Sequence, residues 1–315
     1  MSPDTGGAVR PSRARAWVEL LRLPALFTVP GDALAGAAVT GMRPGPRTLL
    51  AIGSSLCLYE AGMALNDWAD RVEDAAERPH RPLPSGRVRP AAALTAACAL
   101  TAGGLTLAAR AGRPALTVAV PLAATVWAYD LALKHTAAGP VAMAAARGLD
   151  LLLGAAATTG RTREALPSAA LLGTHTLAVT TVSRQETRGG NPVPPLAALA
   201  TTATLTHLLS RRPPAGRRAA AVPGLPTASS TTSTTSDTLR TALAVVYAAT
   251  AARPYFHAAL NPSPPLTQRA VGSGIRATIP LQAALATRSG SRLTGLLIAG
   301  LAPLGRKFAR TVSIT

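Results

Sequence analysis

Apolar runs long enough to cross a bilayer recur along the chain, separated by short polar stretches. The run over 91–109 carries no charge at all, close to the roughly 20 residues that a membrane-spanning helix needs. Similar runs occupy 23–42 with Asp32 inside, 49–66 with Glu60, 114–129, 141–160 with Arg147 and Asp150, 166–182 and 194–210. Beyond residue 211 the runs over 238–252, 271–287 and 293–304 are shorter or more interrupted. The pattern predicts an all-α fold, a polytopic membrane bundle of about nine transmembrane helices. Their Ala, Gly and Thr suit close helix approach in lipid.

The same pattern divides the chain into a leader over 1–16, a membrane core over 17–210, a disordered linker over 211–237, and C-terminal transmembrane helices of the same bundle over 238–315. The linker assignment rests on a Pro, Ala, Ser and Thr composition that cannot bury a core. Arg10, Arg13 and Arg15 precede the first run and hold the amino terminus in the cytoplasm by the positive-inside rule. This reading is preferred over a cleaved signal peptide. The connections after the second and sixth spans then share the cytoplasmic side and are able to build one site. Arg211, Arg212, Arg217 and Arg218 fall on the other side, against the rule.

Charge sharpens this picture. The chain has 32 basic and 14 acidic residues, a net charge of +18, with 48% hydrophobic and 15% charged residues. That balance calls for a polyanion or a membrane face. Nucleic acid is set aside as a partner, because the arginines punctuate apolar runs rather than cluster with stacking aromatics. Cys57 and Cys98 lie in apolar runs with no metal-ligand spacing, and the five histidines are scattered singly, so neither residue type is assigned a site. Arg147 and Asp150, at i and i+3, are expected to form an internal ion pair.

At the end of the second run the chain reads Asn66-Asp67-Trp68-Ala69-Asp70-Arg71-Val72-Glu73-Asp74. On one continuous helix Asp67, Asp70 and Asp74 fall within an arc of roughly 60°, with Glu73 pointing away and Asn66 beside Asp70. A helix C-terminus gains nothing from stacked carboxylates, since its dipole favours cations. Two readings account for them. Either Mg²⁺, which takes hard oxygen ligands, joins these acids to a substrate diphosphate, or the acids form a solvated cap neutralised by nearby arginines.

The stretch that follows, Arg78-Pro79-His80-Arg81-Pro82-Leu83-Pro84-Ser85-Gly86-Arg87, brings a family into view. Asn66 to Asp74 resembles the NDxxDxxxD motif, and Arg78 to Arg87 the RPxRPLPSGR continuation, of the UbiA-type intramembrane prenyltransferases. Tyr129 to Lys134 resembles the Y-x₄-K element of that family. The stretch Ser183-Arg184-Gln185-Glu186-Thr187-Arg188-Gly189-Gly190 has one carboxylate where the family carries several, and in this the chain resembles the EboC-like branch.

The resemblance implies a helical bundle around a central cavity, open to lipid, in which Mg²⁺ and a prenyl diphosphate meet. By it, Asp67, Asp70 and Asp74 are the metal-binding and catalytic residues. Asn66, Arg81, Lys134, Arg184 and Glu186 are the substrate-binding ones: Asn66 orients the diphosphate, Lys134 and Arg81 take its remaining charge, Glu186 positions the acceptor or a second metal, and Arg184 offers another phosphate contact. The implied partners are a prenyl diphosphate donor, an unidentified aromatic or lipophilic acceptor, and membrane lipid. The implied place is a bacterial inner membrane with cytoplasmic active-site loops. The competing function is a non-catalytic carrier or binder of isoprenoid diphosphate lipids.

Overall fold

The computed structural model describes residues 13–187, 189–211 and 230–313. The first twelve residues of the expected leader, residues 212–229 of the expected linker, and Arg188 lie outside them. In chain order the helices are α1 (Arg13–Leu20), α2 (Pro30–Val39), α3 (Pro46–Ala69), α4 (Arg71–Glu77), α5 (Pro90–Ala111), α6 (Arg113–Ala128), α7 (Gly139–Thr159), α8 (Leu166–Ser183), α9 (Val193–Ser210), α10 (Ser230–Leu260), α11 (Pro264–Arg288) and α12 (Arg292–Ser313). Proline opens α2, α3, α5 and α11, where its missing N–H removes no intrahelical bond. Gly160, at φ 76°, closes α7, because a left-handed C-terminal residue is cheapest without a Cβ.

The apolar runs fall in helical structure, except that the first ends in a turn and coil over 40–42. The first is not one continuous helix: Pro24 and Pro30 divide it into a 3-10 turn over Leu23–Thr28 and the ten-residue α2. Among the described residues, five helical segments are long and apolar enough to cross a membrane: Pro46–Ala69, Pro90–Ala111, Arg113–Leu133, Gly139–Thr159 and Arg163–Ser183. Shorter apolar helices cover Leu26–Val39 and Arg292–Gly305. α10 and α11 are long, but Arg240, Arg253, Arg269 and Arg276 and the prolines Pro254 and Pro280 interrupt them.

α3 packs along α5, α7 lies between α2, α6 and α8, and α10 and α11 pair against α9 and α12. One apolar core joins α7, α8, α10 and α11, and a second joins α3, α5, α6 and α7. α2 and α7 touch backbone to backbone. A Cβ on Gly154 would meet the Ala33 carbonyl oxygen at 2.1 Å, and one on Gly36 would meet that of Leu151 at 1.9 Å. Small residues at such contacts let helices gain dispersion attraction that lipid cannot supply. Gly154→Ala is therefore expected to destabilise the bundle by about 1–3 kcal/mol, the cost of overpacking, read as a lower thermal midpoint in detergent.

Polar groups also stitch the interior. Arg147 on α7 pairs with Asp32 on α2 at 2.8 Å. Gln282 on α11 donates to Asp32 Oδ1 at 2.6 Å and to the Thr28 carbonyl at 2.8 Å. Ser55 on α3 hydrogen-bonds Asp150. The expected Arg147–Asp150 pair along one helix is thus replaced by contacts across helices. An acid with no water nearby binds whichever donor the packing places closest.

The connections at the two ends differ in content. One end gathers the long stretch between α4 and α5, the turn between α6 and α7, and the loop after α8. The other carries Arg43, Arg47, Arg110, Arg113, Arg161 and Arg163, all exposed. The two ends are both basic, and only the first also holds a concentration of acids.

Candidate functional site

The site is built where α3 stops. Asp70 takes φ −84° and ψ 3°, which ends α3 and lets the chain turn into α4. Arg71 fastens the break, donating to the Trp68 carbonyl at 2.8 Å and lying 4.5 Å above its ring. The aspartates therefore do not share one continuous helical face. Asp67 and Asp74 converge on Arg81, at 3.9 and 2.6 Å. Asp67 also meets Arg22 at 3.3 Å, and Asp74 meets Arg78 at 3.5 Å.

Asp70 is engaged elsewhere. It bonds Lys134 and lies 3.9 Å from His135. Glu73, expected to point away, stands with it: the Asp70, Glu73 and His135 ligand atoms all lie within 4.8 Å of one another, whereas Asp67, Asp70 and Asp74 form no trio that close. Like charges in a partly buried site repel strongly. The break at Asp70 separates them and admits a cation beside each.

Lys134 reaches this place through a local irregularity. Helix α6 runs into a turn of π-helix over Tyr129–Leu133, where the Lys134 N–H bonds the Tyr129 carbonyl at 2.9 Å. The wider turn inserts one residue into the helical ladder, a device common at functional sites. It brings Lys134 to Asp70 and presents Asp130 to Asn66, whose side-chain amide donates to it at 3.1 Å. Asn66 is thus paired with Asp130 rather than set beside Asp70. Trp68, Asp70, Glu73, Asp130, Lys134 and His135 line a cleft of about 530 Å³.

The loop after α8 closes over the same end. Arg184 donates to the carbonyls of Thr136 and, at 3.5 Å, Lys134, so it braces the turn that carries Lys134. Glu186 lies near Arg78. Burial pushes its carboxyl up from the ordinary value, and the Arg78 charge partly offsets that.

Four residues at this site carried no assignment from the sequence: Arg22, Glu73, Asp130 and His135. Arg22 adopts φ 48°, a positive value shared with no other non-glycine residue among those described. That backbone cost, of order 1–3 kcal/mol, is met where the side chain reaches Asp67. The donor set fits a hard divalent cation. Asp67 and Asp74 are buried, with 5% and 2% exposure, present only oxygen ligands, and stand on either side of a single guanidinium. Carboxylates placed to share one positive charge offer the ligands that magnesium takes.

Comparison with known proteins decides the kinship. The family model described as "UbiA prenyltransferase family" matches residues 25–268. The chain belongs to the UbiA prenyltransferase family. The matched span includes every UbiA motif residue named above, and with five membrane-length helices it makes this an integral membrane protein.

Curated relatives include digeranylgeranylglyceryl phosphate synthases of Methanothrix thermoacetophila, 33% identical over 40% of this chain and 51% of that one, and of Methanopyrus kandleri, 35% identical over 39% and 45%. The chain thus spans about half the length of the curated relatives it matches. Among solved structures, a UbiA homolog from Archaeoglobus fulgidus bound to DMAPP and Mg²⁺ superposes with a TM-score of 0.57 at 17% identity, covering 83% of this chain and 98% of that one. The apo form of a UbiA homolog from Aeropyrum pernix K1 gives 0.55 at 21% identity, over 80% and 96%. At these identities the likeness is one of fold.

Proposed function

We propose that this protein transfers a prenyl group from a prenyl diphosphate to a lipophilic or aromatic acceptor inside a bacterial inner membrane, with the site facing the cytoplasm. The observation that carries the reading is the convergence of Asp67 and Asp74 on Arg81, beside Asp70 held by Lys134, at the membrane end of a family whose name states this chemistry. The Archaeoglobus homolog with DMAPP and Mg²⁺, and its counterpart with GPP and Mg²⁺, support the donor class and the ion. Catalysis is assigned to the core over 17–210, with the segment over 211–237 outside it; residues 230–237 of that expected disordered linker instead open helix α10.

Asp67, Asp70 and Asp74 would hold Mg²⁺, which when bound neutralises diphosphate charge and makes it a better leaving group. Around it, the chain's own cations divide the work. Arg81 offers a planar two-pronged donor to phosphate oxygens, and Lys134 a mobile point charge. Both are already within reach of the aspartates, so turning from carboxylate to phosphate costs them little rearrangement. Asn66 holds Asp130, which lines the cleft. Arg184 keeps the π-turn in place, and Glu186 stands near the Arg78 charge. Tight helix packing excludes water from the allylic carbon as the diphosphate departs, and the isoprenoid tail gains about 0.8 kcal/mol per carbon by remaining in apolar surroundings.

The test is diphosphate release. The purified chain in nanodiscs, given Mg²⁺ and labelled prenyl diphosphates of several lengths with membrane-extract acceptors, is expected to release diphosphate and yield a prenylated lipid. EDTA should stop both. Retained binding of the labelled lipid without any release would instead favour the carrier.

A further inference from the structure

At the end of the bundle opposite the site, three helix ends meet. The Thr48 and Thr158 hydroxyls lie 3.0 Å apart and join the start of α3 to the end of α7. A Cβ on Gly160 would stand 3.5 Å from Pro114, in the first turn of α6. The sequence neighbours of these contacts are arginines: Arg47 beside Thr48, Arg161 beside Gly160 and Arg113 beside Pro114, with Arg110 and Arg163 close along the chain. All five are exposed, and none has an ion-pair partner among the described residues. Glu164 is the only acid on the connections that carry them. The site end differs, for there Arg22, Arg78, Arg81, Arg87 and Lys134 each meet a carboxylate.

Positive charge gathered without acids calls for an anion, and the helices fix its depth. α3, α6 and α7 belong to membrane-length segments, so arginines at their ends stand at the level of lipid headgroups. The connections are too short to carry a guanidinium far into solution: Gly112 alone joins α5 to α6, and residues 160–165 join α7 to α8. Apolar side chains accompany the charges. Met42, Leu49 and Leu166, each within three residues of an arginine, are 56%, 67% and 51% exposed. A soluble polyanion offers nothing to those side chains, whereas a phospholipid brings phosphate and acyl chain together. Tryptophan, the usual interfacial anchor, gathers at the site end instead, where Trp17, Trp68 and Trp127 pack against one cluster.

We propose that Arg47, Arg113 and Arg161, flanked by Arg110 and Arg163, form a binding site for an anionic phospholipid in the leaflet opposite the candidate active site. Each guanidinium presents a planar fork to phosphate oxygens. A zwitterionic headgroup brings its own cation, which the arginines repel, so the lipid that fits carries net negative charge. Bound there, it ties together the far ends of α3, α6 and α7. The site stands whatever chemistry occurs at the other end of the bundle.

The experiment titrates the full chain in dodecyl maltoside with dioleoylphosphatidylglycerol and follows the thermal midpoint. Wild type is expected to gain about 4 °C or more at saturation, and much less from dioleoylphosphatidylcholine or inorganic phosphate at the same concentration. Arg47→Gln/Arg113→Gln/Arg161→Gln should need at least about tenfold more phosphatidylglycerol for half the shift. As a control, Arg89→Gln/Arg253→Gln/Arg269→Gln removes the same charge from exposed positions elsewhere and should respond as wild type does. No gain with phosphatidylglycerol, or an equal gain with phosphatidylcholine, would overturn the site. An equal response to inorganic phosphate would make it a free-anion site, and an equal loss in both triple variants would reduce it to general charge attraction. Either result rejects the proposal.

Exposed arginines without partners contribute little to the fold, so the first triple variant should melt within about 2 °C of wild type when no lipid is added. A clear fall there would make these arginines structural and the site unnecessary. Native mass spectrometry gives a second readout that needs no triple variant. From micelles holding equal phosphatidylglycerol and phosphatidylcholine, wild type should retain the anionic lipid at least about fivefold over the other, and Arg113→Gln and Arg161→Gln should each lower that preference. Equal retention of both lipids by wild type, or a preference untouched by either substitution, sinks the proposal.

Discussion

Asp67→Asn and Asp74→Asn are each expected to lower diphosphate release at least about a hundredfold, the scale on which loss of one group stabilising transition-state charge is felt. Both side chains are buried and both face Arg81. Asparagine keeps the volume and one oxygen but loses the charge that a divalent cation requires. The substitutions also leave Arg81 with a single carboxylate, so any residual activity should show weaker dependence on Mg²⁺ concentration. Binding of the prenyl tail depends on apolar contact elsewhere and should fall much less. Labelled-donor binding and single-turnover release, measured on the same preparation, separate the two effects. A parallel loss of binding and release would mean that these acids serve the fold of the α3–α4 break rather than the chemistry.

The largest effect on stability is expected at the Arg147–Asp32 pair. Arg147→Leu leaves Asp32, with no exposed surface, facing the Gln282 amide and the Asp150 carboxyl. Removing one partner of a buried pair typically costs about 3–5 kcal/mol, because the surviving charge is stranded. The thermal midpoint in detergent should fall accordingly. Adding Asp32→Asn to Arg147→Leu should recover a large part of the loss, since the charge that was stranded is then gone. A double variant no more stable than Arg147→Leu alone would place the contribution in packing of the arginine stem instead.

The two predictions rest on different kinds of legibility. The acids of the first were visible as a spacing, Asp67, Asp70 and Asp74 on a helix that meets an arginine-rich, proline-set stretch. Their grouping was not visible. Ideal helical geometry put all three on one arc, and the break at Asp70 divides them, sending Asp70 to Lys134 and admitting Glu73 and His135. Nothing in the local composition marks that break, for no glycine or proline stands there. Mutual repulsion of the acids and the reach of Arg22, Arg71 and Arg81 produce it, and those partners come from as far as 45 residues away.

His135 and Asp130 were passed over for a similar reason. A lone histidine and a lone aspartate have no periodic signature. Only the π-turn at Tyr129–Leu133, which shifts the register of everything after it by one residue, turns them toward the cleft. The Arg147–Asp150 pairing failed because an i, i+3 relation states only that two side chains are able to meet. Asp32, on another helix, was better placed.

What the chain determines by itself is the all-helical, membrane-embedded character and the place where its chemistry gathers. Both follow from one-dimensional facts: the length of uncharged runs against the thickness of a bilayer, and the density of acids and arginines between them. Which acid faces which cation, which arginines are left without an acid, and how closely α2 approaches α7 were decided only by tertiary structure. Those are questions of distances between segments far apart in sequence, and in an interior that excludes water a shift of an ångström or two decides whether a charge is paired.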